Sequence, residues 1–290
     1  YINPYAHIIS LEKHEKYDPQ IIKFANHEIV QRIENLRKNN LATLHSFDNI
    51  QKWFRDDVID DLRVIRTAIT MEPNSKTRRY FWLCFGEIVK RYSNTRTSTF
   101  KLHLKEVKKI SEMENNVLND FFEKIRETYK LIGHPKQGSF QLICGDSIDI
   151  MKTYEPNSFD IICTSPPYGD NATTVTYGQF SILQLLWIDS NDFQYDSSCV
   201  DYFSKIDSMS LGGAHSTNNA FYYSPIISSY VSQLSPHKQT KIKRFYIDYE
   251  NAFRLMTRLL KPKGSMVLTL GNRMVDRLEF PFIELNKEIG

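Results

Sequence analysis

Thr164-Ser165-Pro166-Pro167-Tyr168 follows directly on the apolar run Phe159-Asp160-Ile161-Ile162-Cys163. The run reads as a buried strand, and the pentapeptide as a constrained polar and aromatic turn at its end. Two consecutive prolines fix φ and remove two backbone donors, so regular pairing does not continue through them. The carbonyls of Ser165 and Pro166 are then left to accept hydrogen bonds from a ligand, beside one hydroxyl and one aromatic ring.

Taken alone, Ser-Pro-Pro-Tyr also suits a proline-rich surface turn or a polyproline ligand for another domain. The run-up argues for a built site. Phe140-Gln141-Leu142-Ile143-Cys144 is an earlier short apolar run, read as a strand, and Gly145-Asp146-Ser147 is a helix start. Ile148, Ile150 and Met151 follow at helical spacing, then the turn Pro156-Asn157-Ser158, then the strand that ends in the motif. Such a β-α-β unit delivers the motif to the carboxyl end of a strand, where open parallel sheets bind ligands.

These residues resemble the amino-group DNA methyltransferases that use S-adenosylmethionine, whose motif is Asp, Asn or Ser followed by Pro-Pro and an aromatic residue at a strand end. The resemblance implies roles for Ser165, Pro166, Pro167 and Tyr168 as the catalytic set. An exocyclic base amine is a poor nucleophile, because its lone pair is delocalised into the ring. Accepting its two N–H groups on the Ser165 hydroxyl and the Pro166 carbonyl would hold it pyramidal, its lone pair aimed at the methyl donor. Tyr168 would stack on a base swung out of the duplex. A serine in first place favours N4 of cytosine over N6 of adenine, although a hydroxyl and a carboxamide can both accept from an amine.

The amino terminus carries a second likeness. Ile2-Asn3-Pro4-Tyr5-Ala6 is similar to the family's segment after its second strand, where an acidic residue just before the Asn-Pro holds the cofactor ribose; an ordinary helix-entry turn is the alternative. With Asn3 and Pro4, the resemblance puts Asp146, Ser147 and Thr164 around the cofactor. No Gly-x-Gly occurs, and Gly212-Gly213 is the one adjacent pair among eleven glycines. The family's Phe-x-Gly-x-Gly loop is therefore not in this sequence, and the expectation is the later part of a longer protein.

Between these segments the spacing predicts helices. Ile21, Ile22, Phe24, Ile29, Val30, Ile33 and Leu36 make one stripe; Trp53, Phe54, Val58, Ile59, Leu62, Ile65 and Ile69 a second; Val117, Leu118, Phe121, Phe122 and Ile125 a third. Residues 15–137 are read as a helical insertion serving target recognition, and 1–14 with 138–290 as the catalytic domain. The insertion holds a dense basic stretch from Lys76 to Lys109, in which Arg91, Ser93, Asn94, Arg96, Thr97 and Lys101 offer guanidinium, hydroxyl, amide and ammonium groups suited to phosphate oxygens. A second basic run, Lys238, Lys241, Lys243 and Arg244, fits a solvated face equally well.

Beyond the motif, Gly169 to Phe180 forms a polar loop that could line the base pocket or cover the cofactor, and a helix is expected over Ser181 to Ile188. The stretch from Asp189 to Tyr230 is irregular, rich in Ser, Asn, Asp and Tyr, and reads as a functional loop or a mobile excursion. A helix ending near Leu260, the turn Lys261-Pro262-Lys263-Gly264 and the strand Met266-Val267-Leu268-Thr269-Leu270 repeat the grammar of the sheet.

Several chemistries are excluded. Methylation at a ring carbon of cytosine uses a thiolate directly after a proline, and no Pro-Cys occurs. The eight histidines show no His-Glu-x-x-His and no ligand-spaced cluster with cysteine, so no metal is expected. Cys84, Cys144, Cys163 and Cys199 are scattered and read as reduced packing residues. At 290 residues, 41% hydrophobic, the chain is long enough for one large core plus a helical region. With a mean hydropathy of −0.43 and no long apolar span or basic-then-apolar leader, it is expected to be soluble and cytoplasmic.

The expectation is an α/β, Rossmann-like methyltransferase sheet with a large helical insertion. Its resemblance implies methyl transfer from S-adenosylmethionine to N4 of cytosine in double-stranded DNA, in a restriction-modification setting with a cognate endonuclease as a further partner. N6 of adenine is the alternative target, and a non-catalytic DNA-binding fragment the alternative class.

Overall fold

A computed structural model describes residues 3–96, 101–132, 138–168, 177–193, 206–209, 224–271 and 273–290. They are mixed α/β: mainly helices, a two-stranded parallel sheet and a two-stranded antiparallel ribbon. The chain divides into two compact units. One takes in the described residues of Cys144–Gly178 and Ser204–Gly290, the other those of Asn3–Ile143 and Gln179–Phe203.

The second unit is helical: α1 (Pro4–His14), α2 (Pro19–Asn39), α3 (Ile50–Trp53), α4 (Asp56–Thr70), α5 (Ser75–Tyr92), α6 (Val107–Ser111) and α7 (Val117–Tyr129). Local chemistry sets several starts. Asn3, Asp18 and Asn74 each accept backbone N–H groups from the first turn of the helix that follows, and Pro4 and Pro19 stand where a missing N–H costs nothing. Of the second and third stripes, Phe54, Val58, Ile59, Leu62, Ile65, Ile69, Val117, Leu118, Phe121 and Ile125 are buried, whereas Trp53 and Phe122 are half-buried, and the second stripe is broken between α3 and α4. On α2 only Ile22, Ile29, Ile33 and Leu36 of the stripe are buried. Ile21 and Phe24 are 57% and 67% exposed, a correction to the expected seven-residue face: they lie off the i, i+3/i+4 line that runs through the other four.

α5 is the centre of this unit, burying Tyr80, Phe81, Trp82, Phe85, Ile88 and Val89 against α1, α4 and α7. Gly86 lets α1 approach, since a Cβ there would collide with the Tyr5 ring and its hydroxyl. Two buried acids tie the helices together. Glu12 accepts from Arg79 Nε at 3.2 Å and from the Tyr17 hydroxyl. Asp192, in a 3₁₀ turn (Ser190–Asp192), accepts from Arg78 Nη2 at 2.6 Å and Trp82 Nε1 at 2.7 Å.

The first unit carries the sheet: α8 (Ser147–Lys152), β1 (Phe159–Thr164), α10 (Ile206–Met209), α11 (Pro225–Ser232), α12 (Pro236–Leu259), β2 (Leu260–Leu268), β3 (Met274–Val275), β4 (Leu278–Glu279) and α13 (Phe282–Ile289). The helix α9 (Tyr177–Trp187) starts in this unit and continues into the other; it begins earlier than the expected Ser181. β1 and β2 run parallel, with Ile162 beside Met266, Cys163 beside Val267 and Thr164 beside Leu268. β2 begins at Leu260, six residues before the expected Met266. The turn Pro262-Lys263-Gly264 bulges out within it, because Phe159 pairs with Leu260 but Ile161 with Ser265.

One face of this pair, with Ile162, Met266 and Leu268, packs on the aromatic core of α11, α12 and α13 around Phe245, Tyr249, Phe280 and Phe282. Ile161, Cys163 and Val267 on the other face are exposed, which corrects the expectation that Cys163 packs. Cys84 is buried as expected, and Cys199 lies outside the described residues.

Phe140-Gln141-Leu142-Ile143-Cys144 is not a strand, a further correction. It is occupied elsewhere: the Phe140 ring lies 4.7 Å from that of His14, and the Leu142 backbone meets the His7 ring, so the segment follows α1. The wider doubly wound sheet is likewise not seen among the described residues, which hold two parallel strands.

Candidate active site

β1 ends at Thr164, and β2 runs alongside it in the same direction, so the segments leaving both strands emerge together. The junction is tied by the Thr269 N–H, which donates to the Thr164 carbonyl at 3.0 Å. Ser165 follows, exposed, then Pro166, buried, then Pro167 and Tyr168, half-buried. No further ladder forms through the prolines, as their missing donors require.

The Tyr168 hydroxyl lies 3.1 Å from Ser165 Oγ. The tyrosine side chain therefore folds back over the turn, and its ring partly packs on the core of this unit. It also meets Gly271, beyond the end of β2. The Ser165 hydroxyl and the Tyr168 ring are thus brought together at this strand end.

Asp146 and Ser147 stand at the start of α8. Asp146 is the helix cap, its Oδ1 accepting the Ile148 N–H at 2.7 Å, and its carboxylate is exposed. At the other end of α8 the Arg258 guanidinium, at the close of α12, donates to the carbonyls of Met151 and Tyr154 at 2.9 Å each. Leu260, at the start of β2, follows directly, so the end of α8 lies beside the start of that strand.

Asn3 and Pro4 belong to the helical unit. The Asn3 side chain caps α1, accepting from the Tyr5 N–H at 3.0 Å, and donates to Ser181 Oγ at 2.9 Å, which leaves the residue buried. Asn3 thus fills the helix-entry role that the sequence offers as the alternative to a cofactor contact.

The basic stretch closes α5. Arg91 pairs with Asp120 at 2.7 Å, and the Tyr92 hydroxyl donates to the same carboxylate. Ser93 and Asn94 are buried: Ser93 Oγ bonds the Lys90 carbonyl and Thr95, and Asn94 Nδ2 donates to the Lys52 carbonyl. They brace the turn from within and so do not face a phosphate. Arg96 is exposed, held by an antiparallel bridge between Thr95 and Leu104 and by its Nε on the Leu104 carbonyl, and Lys101 is exposed in the same turn. Lys105 donates to the Ser93 carbonyl at 2.8 Å, a brace missed in the sequence. Thr97, the loop 169–176 and Gly212-Gly213 lie outside the described residues.

Aligned over 304 residues, the chain is 27% identical to the Type II methyltransferase M.MvaI of Kocuria varians, with 97% of this chain taken in. The chain is similar to a Type II methyltransferase. It spans 66% of that protein's length, a little under two thirds. No protein-family model matches the chain, and no solved structure does. Among the described residues, no helix is long and apolar enough to cross a membrane, and no group of three His, Cys, Asp or Glu side chains is placed to hold a metal ion.

Proposed function

We propose that this chain is the catalytic part of a site-specific DNA methyltransferase of a restriction-modification pair, acting on the N4 amine of cytosine. The observation that carries the reading is the Ser165–Tyr168 arrangement at the carboxyl end of β1, in a chain similar over almost its whole length to a Type II methyltransferase. In this reading β1 and β2 are neighbouring strands of a Rossmann-like sheet, and the helical unit grips the duplex.

The chain's own residues do most of what such a transfer needs. Ser165 Oγ carries two lone pairs: one can take the Tyr168 hydroxyl proton and the other an amine N–H, while the Pro166 carbonyl accepts the second N–H. Two acceptors fixed on a proline-locked turn orient the nitrogen lone pair without a strong base, and prepaid orientation lowers the barrier. Tyr168 offers a ring on which the flipped base stacks, worth about 1 to 3 kcal/mol. Exposed Arg96 and Lys101 take backbone phosphates of the duplex.

S-adenosylmethionine is the implied cofactor; when bound it supplies the electrophilic methyl group. An exposed carboxylate at Asp146 and the adjoining Ser147 hydroxyl are acceptor chemistry that suits the adenine amine and the ribose hydroxyls. With Thr164 at the strand end, these residues fit part of that molecule.

The test is to incubate the protein with duplex DNA and methyl-labelled S-adenosylmethionine, then digest the DNA to nucleosides. Label in N4-methylcytosine is the expected result. Label in N6-methyladenine moves the target while keeping the chemistry, and duplex binding without label in any base removes the enzymatic reading.

A further inference from the structure

Gly271 lies three residues past the end of β2, in the segment whose Thr269 N–H is bonded to Thr164. A Cβ placed on it would stand 2.9 Å from Cε2, 3.0 Å from Cδ2 and 3.3 Å from Cζ of Tyr168. Carbon atoms in ordinary contact are about 3.5 to 4.0 Å apart, so the ring occupies the room that the missing side chain leaves. The backbone makes no such demand. Among the described residues the positive-φ glycines are Gly138 and Gly145, so Gly271 has a φ that alanine tolerates. Glycine here serves the ring and not the turn.

We propose that Gly271 is a positioning residue for Tyr168, the seat that sets the ring's place beside Ser165. The inference rests on reading Tyr168 as the base-stacking residue. Besides its packing on the core, the ring is held by its hydroxyl on Ser165 Oγ at 3.1 Å and by its contact with Gly271. A methyl group at 271 pushes the edge away by about 0.6 to 1 Å, the shortfall from ordinary contact, and lifts the hydroxyl off Ser165. A base stacked on the displaced ring is carried away from the two acceptors by a similar amount, and a misplacement of that size costs up to about 100-fold in rate. The two strand ends thus divide the work: the segment after β1 brings the reacting groups, and the segment after β2 brings the surface that aligns them.

The experiment has one arm that needs no activity. With 3-fluorotyrosine incorporated into the full chain, the Tyr168 resonance is assigned by its loss in Tyr168→Phe. Gly271→Ala is expected to shift that resonance and leave the other tyrosines in place; an unmoved Tyr168 signal overturns the inference whether or not the protein transfers methyl groups. In the second arm, Gly271→Ala is expected to lower kcat for duplex methylation about 10- to 100-fold, with the melting temperature and the KM for S-adenosylmethionine unchanged. Adding Gly271→Ala to Tyr168→Ala is expected to cost nothing further, because the ring that clashes is gone. A shifted resonance with wild-type kcat overturns the positioning role. A wild-type protein that transfers no methyl group to any base ends the functional reading itself, and the fluorine signal then decides the seat alone.

Discussion

The hydroxyls of Ser165 and Tyr168 lie 3.1 Å apart across the Pro-Pro step, so the aromatic ring at the end of β1 is fastened to the residue proposed to receive the amine. Ring and hydroxyl then have separable duties. Tyr168→Phe keeps the stacking surface and is expected to hold kcat/KM within about tenfold of wild type. Tyr168→Ala loses roughly 1 to 3 kcal/mol of stacking, about 5- to 150-fold. Steady-state kinetics on duplex DNA separates the two.

Buried Glu12 gives the helical unit a pH signature. Burial raises its carboxyl from 4.5 to about 7, outweighing the hydrogen bonds from Tyr17 and Arg79. Between those values the folded chain keeps a proton that the unfolded chain has released, so its contribution is full below pH 4.5 and is lost as pH rises toward 7. Urea unfolding between pH 4.5 and 7.5 is expected to show a downward slope from this group worth at most about 3 kcal/mol, and Glu12→Gln to flatten it. A slope identical in the variant contradicts the assignment.

Arg96 and Lys101, exposed after α5, are expected to act on the duplex through their charge. Arg96→Ala and Lys101→Ala are each expected to weaken duplex binding uniformly across sequences and to reduce the slope of log K against log salt by about 1. Binding isotherms at several salt concentrations read this directly. Ser93→Ala, inside the turn, should instead lower stability by about 1 kcal/mol through its lost hydrogen bonds and leave the salt slope alone.

What the sequence made legible follows from how local each cause is. The strand before the motif, the break at Pro166-Pro167, the helix capped by Asp146 and the stripes of α4 and α7 are written in neighbouring residues, and the structure contains them. Phe140 to Cys144 has the composition of a strand, but its side chains and backbone are spent on His7 and His14 of α1, contacts more than 120 residues away in sequence. Ser93 and Asn94 look like phosphate ligands by type; only the packing of the turn against Lys52 and Lys90 shows that they face inward. Gly271 gave no signal, because its importance lies in a ring one hundred residues earlier that no spacing rule connects to it.

In the proposed function the Ser165 hydroxyl receives the amine that is methylated. Single-turnover transfer of labelled methyl from S-adenosylmethionine to duplex DNA, compared between the wild-type protein and Ser165→Ala at saturating DNA, tests it most directly. The expected result is a loss of about 100-fold or more in the transfer step, with duplex affinity and melting temperature unchanged. Transfer by Ser165→Ala at the wild-type rate would rule out that role for Ser165.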